Sequence, residues 1–527
     1  MELKEEKKWT LLKKDETIRY EDDIEIEEDT IRNIPPNIKT PYDFFSLFIN
    51  EQFINYLVEK TNEYAKYKKE KISKNKKGEK EKEKEEGKEE EKAEKKIKKT
   101  RLDKWRDVKY SDMEKFIAVI ILMGIHKLPG YKDHFSKNQI LASPAQKFLS
   151  QWVYESITGF LHASDPGSKG KYKIIKLIND IMEKSQKYYY PCTCVTIDER
   201  MISFKGKSRF VVYEPAKPTK YGFRPYVLSD YKSGYTYGLQ LLEDLDEIND
   251  NNKIYNLVMS LMNNLNKNNI SGKKHILATD GLYTSEKLLE EESFYFIGSL
   301  RYNRIKSEHE EITKPIKKGT YQYFYKKVNG KYYLLTKYMD CKLVLIVSNF
   351  LEPLNTLNRF RWSKIENRFI KIKYPEIIKI YSHLMKGVDI ANQLISYYEL
   401  RHRTYKWWKR ILYHLFDISI VNSFIIYKKS TKDNINQKRF RIEILNAIAY
   451  KYGIIPADYG KNINKNMPMH LVGKSKDRKI CTYCSMTKNY STNKTPVTQY
   501  ICLDCKVHLC IKCFVGFHNW KLFGKNP

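Results

Sequence analysis

The sequence lacks an apolar run long enough to cross a membrane. Its longest uninterrupted apolar stretch, Phe116 to Ile125, is ten residues, about half of what a transmembrane helix needs. The first ten residues, MELKEEKKWT, are charged and lack the apolar core of a secretory signal. We therefore expect a protein without a membrane partner, working in the nucleus or cytosol.

Cysteine is scarce except near the C-terminus, where six of the nine cysteines fall in the last fifty residues. Without a secretory signal, a disulfide framework is not expected. Three Cys-x-x-Cys pairs with two nearby histidines instead predict two structural Zn²⁺ ions in closed tetrahedral sites, whether or not they interleave as in RING or PHD modules. The candidate ligands are Cys481, Cys484, Cys502, Cys505, Cys510, Cys513, His518 and, less securely placed, His508.

The composition is strongly basic, with 96 Lys and Arg residues against 64 Asp and Glu residues and a formal net charge of +32. An excess of this size predicts attraction to a polyanion, and nucleic acid is the leading candidate. Charge alone leaves DNA, RNA and an anionic membrane surface open.

At 527 residues the chain is too long for one core, and roughly three or four domains are expected. Residues 1–104 begin with a charged, loosely ordered arm to about residue 40, followed by an amphipathic helix. The stretch from Lys66 to Thr100 is almost entirely Lys, Glu and Gly. It has too few apolar residues to order itself against a core, so we interpret it as a solvated linker or a single exposed helix.

Helical and β-rich blocks alternate along the rest of the chain. Apolar residues at helical spacing predict helices over residues 105–187, and again from Pro375 through Lys429. Short β-branched and aromatic runs begin at Tyr188, and Asn329-Gly330 between alternating residues is a strong hairpin signal. Strands with helices interleaved among them indicate a mixed α/β fold.

Two aspartates stand where predicted strands end. Asp198 follows the apolar run in CVTIDERMISF, and Asp280 follows HILAT just before a turn and a helix cap at Ser285. A third, Asp389, lies in the amphipathic helix LMKGVDIANQLISYYELR on a polar face shared with Asn392. Singly, each is an ordinary turn or surface residue. Together, two strand ends and a helix are able to supply the oxygen ligands of a two-metal site for phosphodiester cleavage.

From about Ser111 to His518 the chain resembles the piggyBac family of DNA transposases, with extended motifs in the family's order. FIAVIILMGIHKLPGYKDHFS and a later FLHASD are similar to the helical DNA-binding region. VTIDERMISFKGKSRF and KPTKYGFRPYVLSD are similar to the first catalytic segment, and ATDGLYTSEKLL to the second. HLMKGVDIANQ and RTYKWWKRILYHLFDISIVNSFIIY are similar to the third.

The resemblance implies a multidomain α/β architecture. An RNase H-like catalytic core would cover residues 188–303 and 374–398, interrupted by a β-rich insertion over 304–373. An all-α DNA-binding and dimerisation domain would combine residues 105–187 with 399–460. A C-terminal cysteine-rich, zinc-binding domain would cover residues 479–520.

The resemblance also implies the chemistry. Asp198, Asp280 and Asp389 would hold two Mg²⁺ or Mn²⁺ ions, and a homodimer in the nucleus would cut and join double-stranded DNA at TTAA sites beside terminal inverted repeats. Family members often carry an acid where this chain has Asn392. An amide oxygen is still able to bind a hard cation, but it adds no negative charge and holds the metal more weakly.

Two basic segments are candidates for contact with DNA, one shortly after Asp198 and one at the start of the last long helix. Cations there would meet phosphates, and aromatic rings would stack on bases. A solvated surface, or a core position for the tryptophans, is the alternative. The residues are Lys205, Lys207, Arg209, Lys217 and Lys220 in the first segment, and Arg401, Arg403, Tyr405, Lys406, Trp407, Trp408, Lys409 and Arg410 in the second. The family keeps a Trp near DNA at the position of Trp407.

Two other functions stay open. One is a catalytically inactive, domesticated transposase-derived protein that binds DNA or chromatin, an alternative that Asn392 favours. The other is a RING-type ubiquitin ligase built on the zinc module, against which the catalytic-segment motifs argue.

Overall fold

The chain divides into two units, one within residues 1–454 and the other within residues 455–527. The computed structural model describes residues 6–13, 16, 18, 24, 26–85, 102–241, 252–268, 272–304, 310–353, 355–363, 366–400, 402–454, 472–487, 496–503, 505–514 and 517–518.

Helices and strands alternate through the first unit much as the sequence predicts. The helices are α1 (Pro41–Ser46), α2 (Glu51–Glu85), α3 (Tyr110–Ile125), α4 (Ala145–Phe148), α5 (Gln151–Phe160), α6 (Ile175–Tyr188), α7 (Lys253–Asn266), α8 (Glu286–Leu289), α9 (Glu310–Thr313), α10 (Glu376–Leu384), α11 (Gly387–Tyr397), α12 (Trp407–Thr431) and α13 (Gln437–Lys451). The strands are β1 (Glu6–Leu11), β2 (Thr30–Ile31), β3 (Tyr189–Tyr190), β4 (Cys194–Glu199), β5 (Ile202–Ser203), β6 (Val212–Tyr213), β7 (Tyr221–Phe223), β8 (Tyr226–Asp230), β9 (Thr236–Gln240), β10 (Ile276–Thr279), β11 (Tyr295–Ser299), β12 (Tyr321–Val328), β13 (Lys331–Met339), β14 (Leu343–Ser348), β15 (Thr356–Ser363) and β16 (Arg368–Pro375).

A nine-stranded mixed sheet organises this unit, in the order β1-β12-β13-β14-β11-β10-β4-β8-β9. At its centre β4, β10 and β11 run parallel, while β8 and β14 pair antiparallel on either side. Val195, Thr196 and Ile197 are all fully buried. Because successive strand residues point to opposite faces, both faces of β4 are covered, and α10 and α11 pack against it. The predicted mixed α/β fold is confirmed.

The strands that were expected to form a β-rich insertion over residues 304–373 mostly join this sheet. β12, β13 and β14 form an antiparallel meander, and β14 pairs with β11. The predicted hairpin turn is present between β12 and β13, where Asn329 and Gly330 have φ of 53° and 79°. Positive φ at both central residues is what a tight type I′ hairpin requires. β15 and β16 instead pair with each other as a separate two-stranded sheet.

The N-terminal segment is more ordered than its charge predicts. β1 pairs with β12 and supplies an edge strand of the large sheet, where Trp9 is buried. The charged stretch that begins at Lys66 is helical as far as Glu85, because α2 continues through it. Of the two interpretations offered for this stretch, a linker or a single helix, this part has the helix. The remainder of that stretch, residues 86–100, lies outside the described residues.

The long helix α12 is the centre of the helical packing, in contact with α1, α6, α11 and α13. Within the described residues it is the helix that is long and apolar enough to cross a membrane, yet 89% of that apolar stretch is buried inside the protein. Asn422 in this helix exchanges hydrogen bonds of 3.0 and 2.8 Å with the backbone of Thr236 in β9. The helix therefore packs as a core element against the sheet.

The second unit contains β17 (Val472–Ile480), α14 (Thr482–Thr487) and β18 (Val497–Cys502). β17 and β18 pair antiparallel. A small core forms from cysteines together with Leu509 and Phe517. With so few apolar residues, the stability of this unit depends on more than hydrophobic burial.

Candidate functional site

The ends of two neighbouring parallel strands bring Asp198 and Asp280 together. In the register of β4 and β10, Ile197 lies opposite Thr279. The next residue of each segment is an aspartate: Asp198 is the second-last residue of β4, and Asp280 directly follows β10. Because the carboxyl ends of parallel strands meet at one edge of a sheet, the two side chains share that edge.

A third carboxylate at this edge is Glu199, which the sequence reasoning missed. Carboxylate oxygens of Asp198, Glu199 and Asp280 lie within 4.8 Å of one another. The backbone N–H of Glu199 donates to Oδ1 of Asp198 at 2.7 Å. Strict strand alternation would put Glu199 on the opposite face from Asp198. The acidic pair at the end of an apolar strand is the signal that could have identified it.

Two of the three carboxylates, Asp198 and Asp280, lie where their charged form is disfavoured. Burial and the adjacent Glu199 raise the pKa of Asp198 to about 8. Burial also raises the pKa of Asp280, and the Glu199 charge adds to the effect. The half-buried Lys217 opposes both shifts, so its ammonium group lies within electrostatic range of the cluster. A divalent cation bound by these oxygens would relieve the repulsion, so the donor set fits Mg²⁺ or Mn²⁺.

A buried phenol completes this side of the site. Tyr283 is 1% exposed, and its hydroxyl has no hydrogen-bond partner among the described residues. Burial, followed by the Glu199 and Asp198 carboxylates, raises its pKa well above the usual value. The phenol therefore keeps its proton and is available as a hydrogen-bond donor beside the carboxylates.

Asp389 approaches from α11 and is not a member of this carboxylate cluster in the part of the chain described. Its side chain is exposed in the first turn of the helix. α11 packs against β4 and β8, and Gly387 permits the close approach: a Cβ there would lie 2.6 Å from Thr196 Oγ1 and 2.7 Å from the Asp230 carbonyl oxygen. The helix that carries Asp389 thus packs closely against the strand that carries Asp198.

Asn392 has a partner that competes with any metal. Its Oδ1 accepts a hydrogen bond from Nε of Arg200, two residues beyond Asp198. Arg200 is 3% exposed, and its Nη1 lies 3.2 Å from Nε2 of His414 in α12. The amide oxygen that we expected as a weaker metal ligand is therefore engaged by a buried guanidinium. This contact ties α11 to the end of β4.

The two basic segments meet around Trp407. β5, β6 and β7 form a small three-stranded sheet whose loops carry Lys205, Lys207, Lys217 and Lys220. Phe210 beside it packs on Trp407 with ring centroids 5.5 Å apart. Lys205, Lys207, Arg209, Lys220, Arg403 and Tyr405 are exposed, and Lys217, Lys406 and Trp407 are partly buried.

Three residues of the second segment serve the core instead. Trp408 is 2% exposed. Lys409 Nζ donates to the Thr158 carbonyl oxygen, and Arg410 donates to the Ser203 and Leu400 carbonyl oxygens at 3.1 and 3.0 Å. Their partners in the core exclude them from a DNA-facing surface. Arg401 lies outside the described residues.

The cysteines of the second unit fall into two groups within its described part. The sulfur atoms of Cys481, Cys484, Cys510 and Cys513 lie within 4.8 Å of one another, and Cys502, Cys505 and His518 form the second group. The first and third Cys-x-x-Cys pairs therefore share one group, while the second pair stands in the other. This is an interleaved arrangement, and both donor sets fit Zn²⁺.

The two candidate histidines differ in position. Nδ1 of His518 lies 2.6 Å from the Phe514 carbonyl oxygen. A carbonyl oxygen can only accept, so Nδ1 carries the hydrogen and the lone pair of Nε2 is available to a metal. His508 belongs to neither group, although its Nε2 is buried without a hydrogen-bond partner in the described part of the chain.

Comparisons with known proteins place these features in a class. Residues 40–424 match the family model described as Transposase IS4, and residues 465–519 match the model described as a DDE_Tnp_1-like zinc finger. The first match covers more than half of the chain and places the protein in the transposase class. Within that class, the chain belongs to the piggyBac-type transposase family.

Two curated proteins and one solved structure are similar to this chain. The human PiggyBac transposable element-derived protein 3 is 22% identical over 517 residues, covering 92% of this chain and 78% of the relative. The human chimeric ERCC6-PGBD3 protein is also 22% identical over 517 residues, and the match covers 92% of this chain but 44% of that longer relative. A piggyBac transposase solved in a synaptic complex with hairpin DNA is 20% identical, with a TM-score of 0.60 over 91% of this chain and 96% of that one. The structural likeness shows a shared fold.

Proposed function

We propose that this chain is a piggyBac-like DNA transposase that cuts and joins double-stranded DNA at TTAA sites, using Asp198, Asp280 and Asp389 to hold two Mg²⁺ or Mn²⁺ ions. The observation that carries the proposal is the carboxylate cluster at the ends of β4 and β10. The TTAA target, the terminal inverted repeats, the nuclear location and the homodimer rest on the family resemblance.

The central strands support an RNase H-like core. In the order β9-β8-β4-β10-β11, β8 pairs antiparallel with both of its neighbours, β9 and β4, and the last two strands run parallel to β4. The aspartates lie at the end of the central strand, at the end of its parallel neighbour, and on a helix packed against the sheet. A two-metal site needs ligands from separate elements such as these, and in this proposal α11 supplies the third one.

Each residue of the site has a role in this proposal. Asp198 and Asp280 hold the ions, Glu199 adds negative charge between them, and Asp389 contributes from α11. When bound, divalent ions would activate the attacking oxygen and stabilise the leaving oxygen of the phosphodiester. Lys217, in range of the carboxylates, orients the phosphate by charge.

DNA contact and zinc binding complete the proposal. Lys205, Lys207, Lys220, Arg401, Arg403, Lys406 and Trp407 would line the path of the DNA backbone. Two structural Zn²⁺ ions would hold the second unit, with His508 as the candidate eighth ligand. Because exposed cations contact phosphates rather than bases, we expect affinity that falls steeply with salt.

Cleavage of DNA carrying the element's ends and flanking TTAA tests the proposal. Asp198→Asn and Asp280→Asn should each abolish Mg²⁺-dependent cleavage while retaining DNA affinity, because the amide removes charge without changing shape. Asp107→Asn is the matched control, since Asp107 is exposed and its contact with Trp105 survives as an amide. Undiminished cleavage by both site variants would refute the enzyme assignment.

A second candidate is a catalytically inactive DNA- or chromatin-binding protein derived from a transposase. Two observations favour it: Asp389 stands apart from the described carboxylate cluster, and Asn392 is engaged by Arg200. Salt-dependent DNA binding by the unaltered protein, without Mg²⁺- or Mn²⁺-dependent cleavage, would support this alternative.

A further inference from the structure

The two-stranded sheet formed by β15 and β16, here called the aromatic ribbon, presents an unusual face. Residues directly opposite in an antiparallel pair point to the same side, so Phe360, Lys371, Trp362 and Phe369 share one face. Phe360, Trp362 and Phe369 are 69%, 49% and 64% exposed. Three large aromatic side chains exposed together indicate a surface that meets a partner.

The opposite face of the ribbon is the one that rests on the domain. Arg361 pairs with Asp340 and donates to the Cys341 sulfur at 2.7 Å, at the turn between β13 and β14. Ile370 and Ile372, which share the side of Arg361, are partly buried. The aromatic face is therefore the outward one, and its rings are not needed to hold the ribbon in place.

The charge of the ribbon selects the kind of partner. Its two strands contain cations and no acidic residue: Arg359, Arg361, Arg368, Lys371 and Lys373. Lys371 and Lys373 alternate along the aromatic face, and both are exposed. Aromatic rings interleaved with cations are suited to binding a nucleic acid. Its bases stack on the rings or separate where a ring inserts between them, and its phosphates contact the ammonium groups.

The base of the ribbon lies close to the carboxylate edge. Pro375 ends β16, and α10 begins at the next residue. Five residues into α10, the Tyr381 hydroxyl donates to the Thr279 carbonyl oxygen at 3.2 Å, one residue before Asp280. That interval is about 8 Å of helix rise. Each strand of the ribbon has eight residues, and eight extended residues span about 26 Å. A two-stranded ribbon fits into the major groove of DNA, which is about 12 Å wide.

We propose that the aromatic ribbon is a DNA-contacting arm, in which Phe360, Trp362 and Phe369 wedge or stack against bases of the duplex next to the cut and Lys371 and Lys373 contact its phosphates. The proposal rests on the proposed function for its location but concerns a surface that cleavage chemistry does not use. A second copy of the chain and an anionic membrane are the competing occupants of this face.

The test measures binding rather than cleavage, using a fluorescent duplex that carries a TTAA site and 2-aminopurine beside it. The triple variant Phe360→Ser, Trp362→Ser and Phe369→Ser should bind at least about tenfold more weakly, with a smaller 2-aminopurine response, since loss of stacking on even one base has this effect. Ile72→Ser is the control, because Ile72 is exposed to a similar degree, 45%, on α2.

Charge variants give an independent reading. Replacing Lys371 and Lys373 with Gln should reduce the slope of log affinity against log salt by about 1.8 while leaving the 2-aminopurine response in place. The arm is overturned if the triple-serine variant binds the duplex as the unaltered protein does. It is also overturned if the substitutions change self-association, or binding to phosphatidylserine vesicles, without changing DNA affinity.

The outcome separates this proposal from the enzyme assignment. Loss of DNA affinity in the triple-serine variant supports the arm even if the unaltered protein does not cleave. Full affinity in that variant, with cleavage abolished by Asp198→Asn, rejects the arm and keeps the transposase.

Discussion

Replacing Gly387 with Ala tests whether the close packing of α11 positions the third aspartate. A Cβ at Gly387 would lie 2.6 Å from Thr196 Oγ1, 2.7 Å from the Asp230 carbonyl oxygen and 2.9 Å from Tyr231 Cα. Two of these atoms are backbone atoms, in the last residue of β8 and the residue after it, and cannot rotate away. To regain an ordinary contact of 3.4 Å with the Asp230 oxygen, α11 has to move by about 0.7 Å.

This displacement determines the expected changes in unfolding free energy and in cleavage rate. Overpacking of this kind costs about 1–3 kcal/mol of unfolding free energy, against a gain of up to about 1 kcal/mol from Ala in a helix. We therefore expect a net loss of about 0–2 kcal/mol of unfolding free energy, instead of the gain expected where an added Cβ meets no atoms. Asp389 lies two residues further along α11, and a misplacement near 1 Å is able to cost about 100-fold in rate. The expected loss of Mg²⁺-dependent cleavage is about 10- to 100-fold, with DNA affinity unchanged.

The assay combines thermal melting with single-turnover cleavage of DNA carrying the element's ends. Gly159→Ala in α5 is the control, because no heavy atom lies within 4 Å of a Cβ there. That variant should melt at or above the temperature of the unaltered protein and cleave normally. If Gly387→Ala behaves like the control in both measurements, α11 does not position a catalytic residue.

Three further predictions follow from the same contacts. Asn392→Ala should lower the melting temperature, because it leaves Nε of the buried Arg200 without its partner, at a cost of about 1–3 kcal/mol. Asn392→Asp keeps an acceptor oxygen and should retain stability. Equal melting temperatures of both variants and the unaltered protein would contradict this. Lys217→Met should reduce the cleavage rate about 10- to 100-fold, because its charge acts on the carboxylates. The control Lys104→Met, at an exposed lysine outside the proposed site and DNA path, should not reduce the rate; equal rates of the two variants would exclude the role. Cys510→Ser should lower the zinc content from two ions per chain to one, because the four-cysteine group loses a ligand. Atomic emission measures the zinc content, and an unchanged value would contradict the grouping of the cysteines.

The carboxylate edge was predictable where it depends on local patterns. Asp198 and Asp280 follow strong β-strand runs, and parallel strands necessarily bring their ends to one edge. Ser285 caps α8 as predicted, with its Oγ accepting from the Leu288 N–H. These features require only the residues around them, so sequence periodicity is enough.

The contacts that complete the site were not predictable, because they join distant segments. Arg200 and Asn392 are 192 positions apart, and neither has a local pattern that identifies the other. Glu199 was missed because strict strand alternation places it on the face opposite Asp198, whereas its carboxylate lies within 4.8 Å of those of Asp198 and Asp280. The metal roles of Asp198, Asp280, Asp389 and Asn392 all stay predictions.

Basic residues show a different limit. The cations that precede and open α12 looked alike in sequence, yet Lys409 and Arg410 turn inward to backbone carbonyl oxygens, while Lys406 lies 4.9 Å from the centre of the Tyr64 ring. Net charge predicts the class of partner but not which side of a helix faces it. The ribbon shows the same limit. Its charge is visible in the sequence, but the pairing of β15 with β16 determines which aromatic side chains share its exposed face.

Replacing the three aspartates by cysteine, one at a time, tests the central claim most directly. Mg²⁺ binds thiolate poorly, whereas Mn²⁺ is softer and accepts it more readily. We predict that Asp198→Cys, Asp280→Cys and Asp389→Cys each lose cleavage in Mg²⁺ and regain a measurable part of it in Mn²⁺. Cleavage in Mg²⁺ at the unaltered rate by these variants would contradict the metal-ligand assignment and, with it, the two-metal transposase.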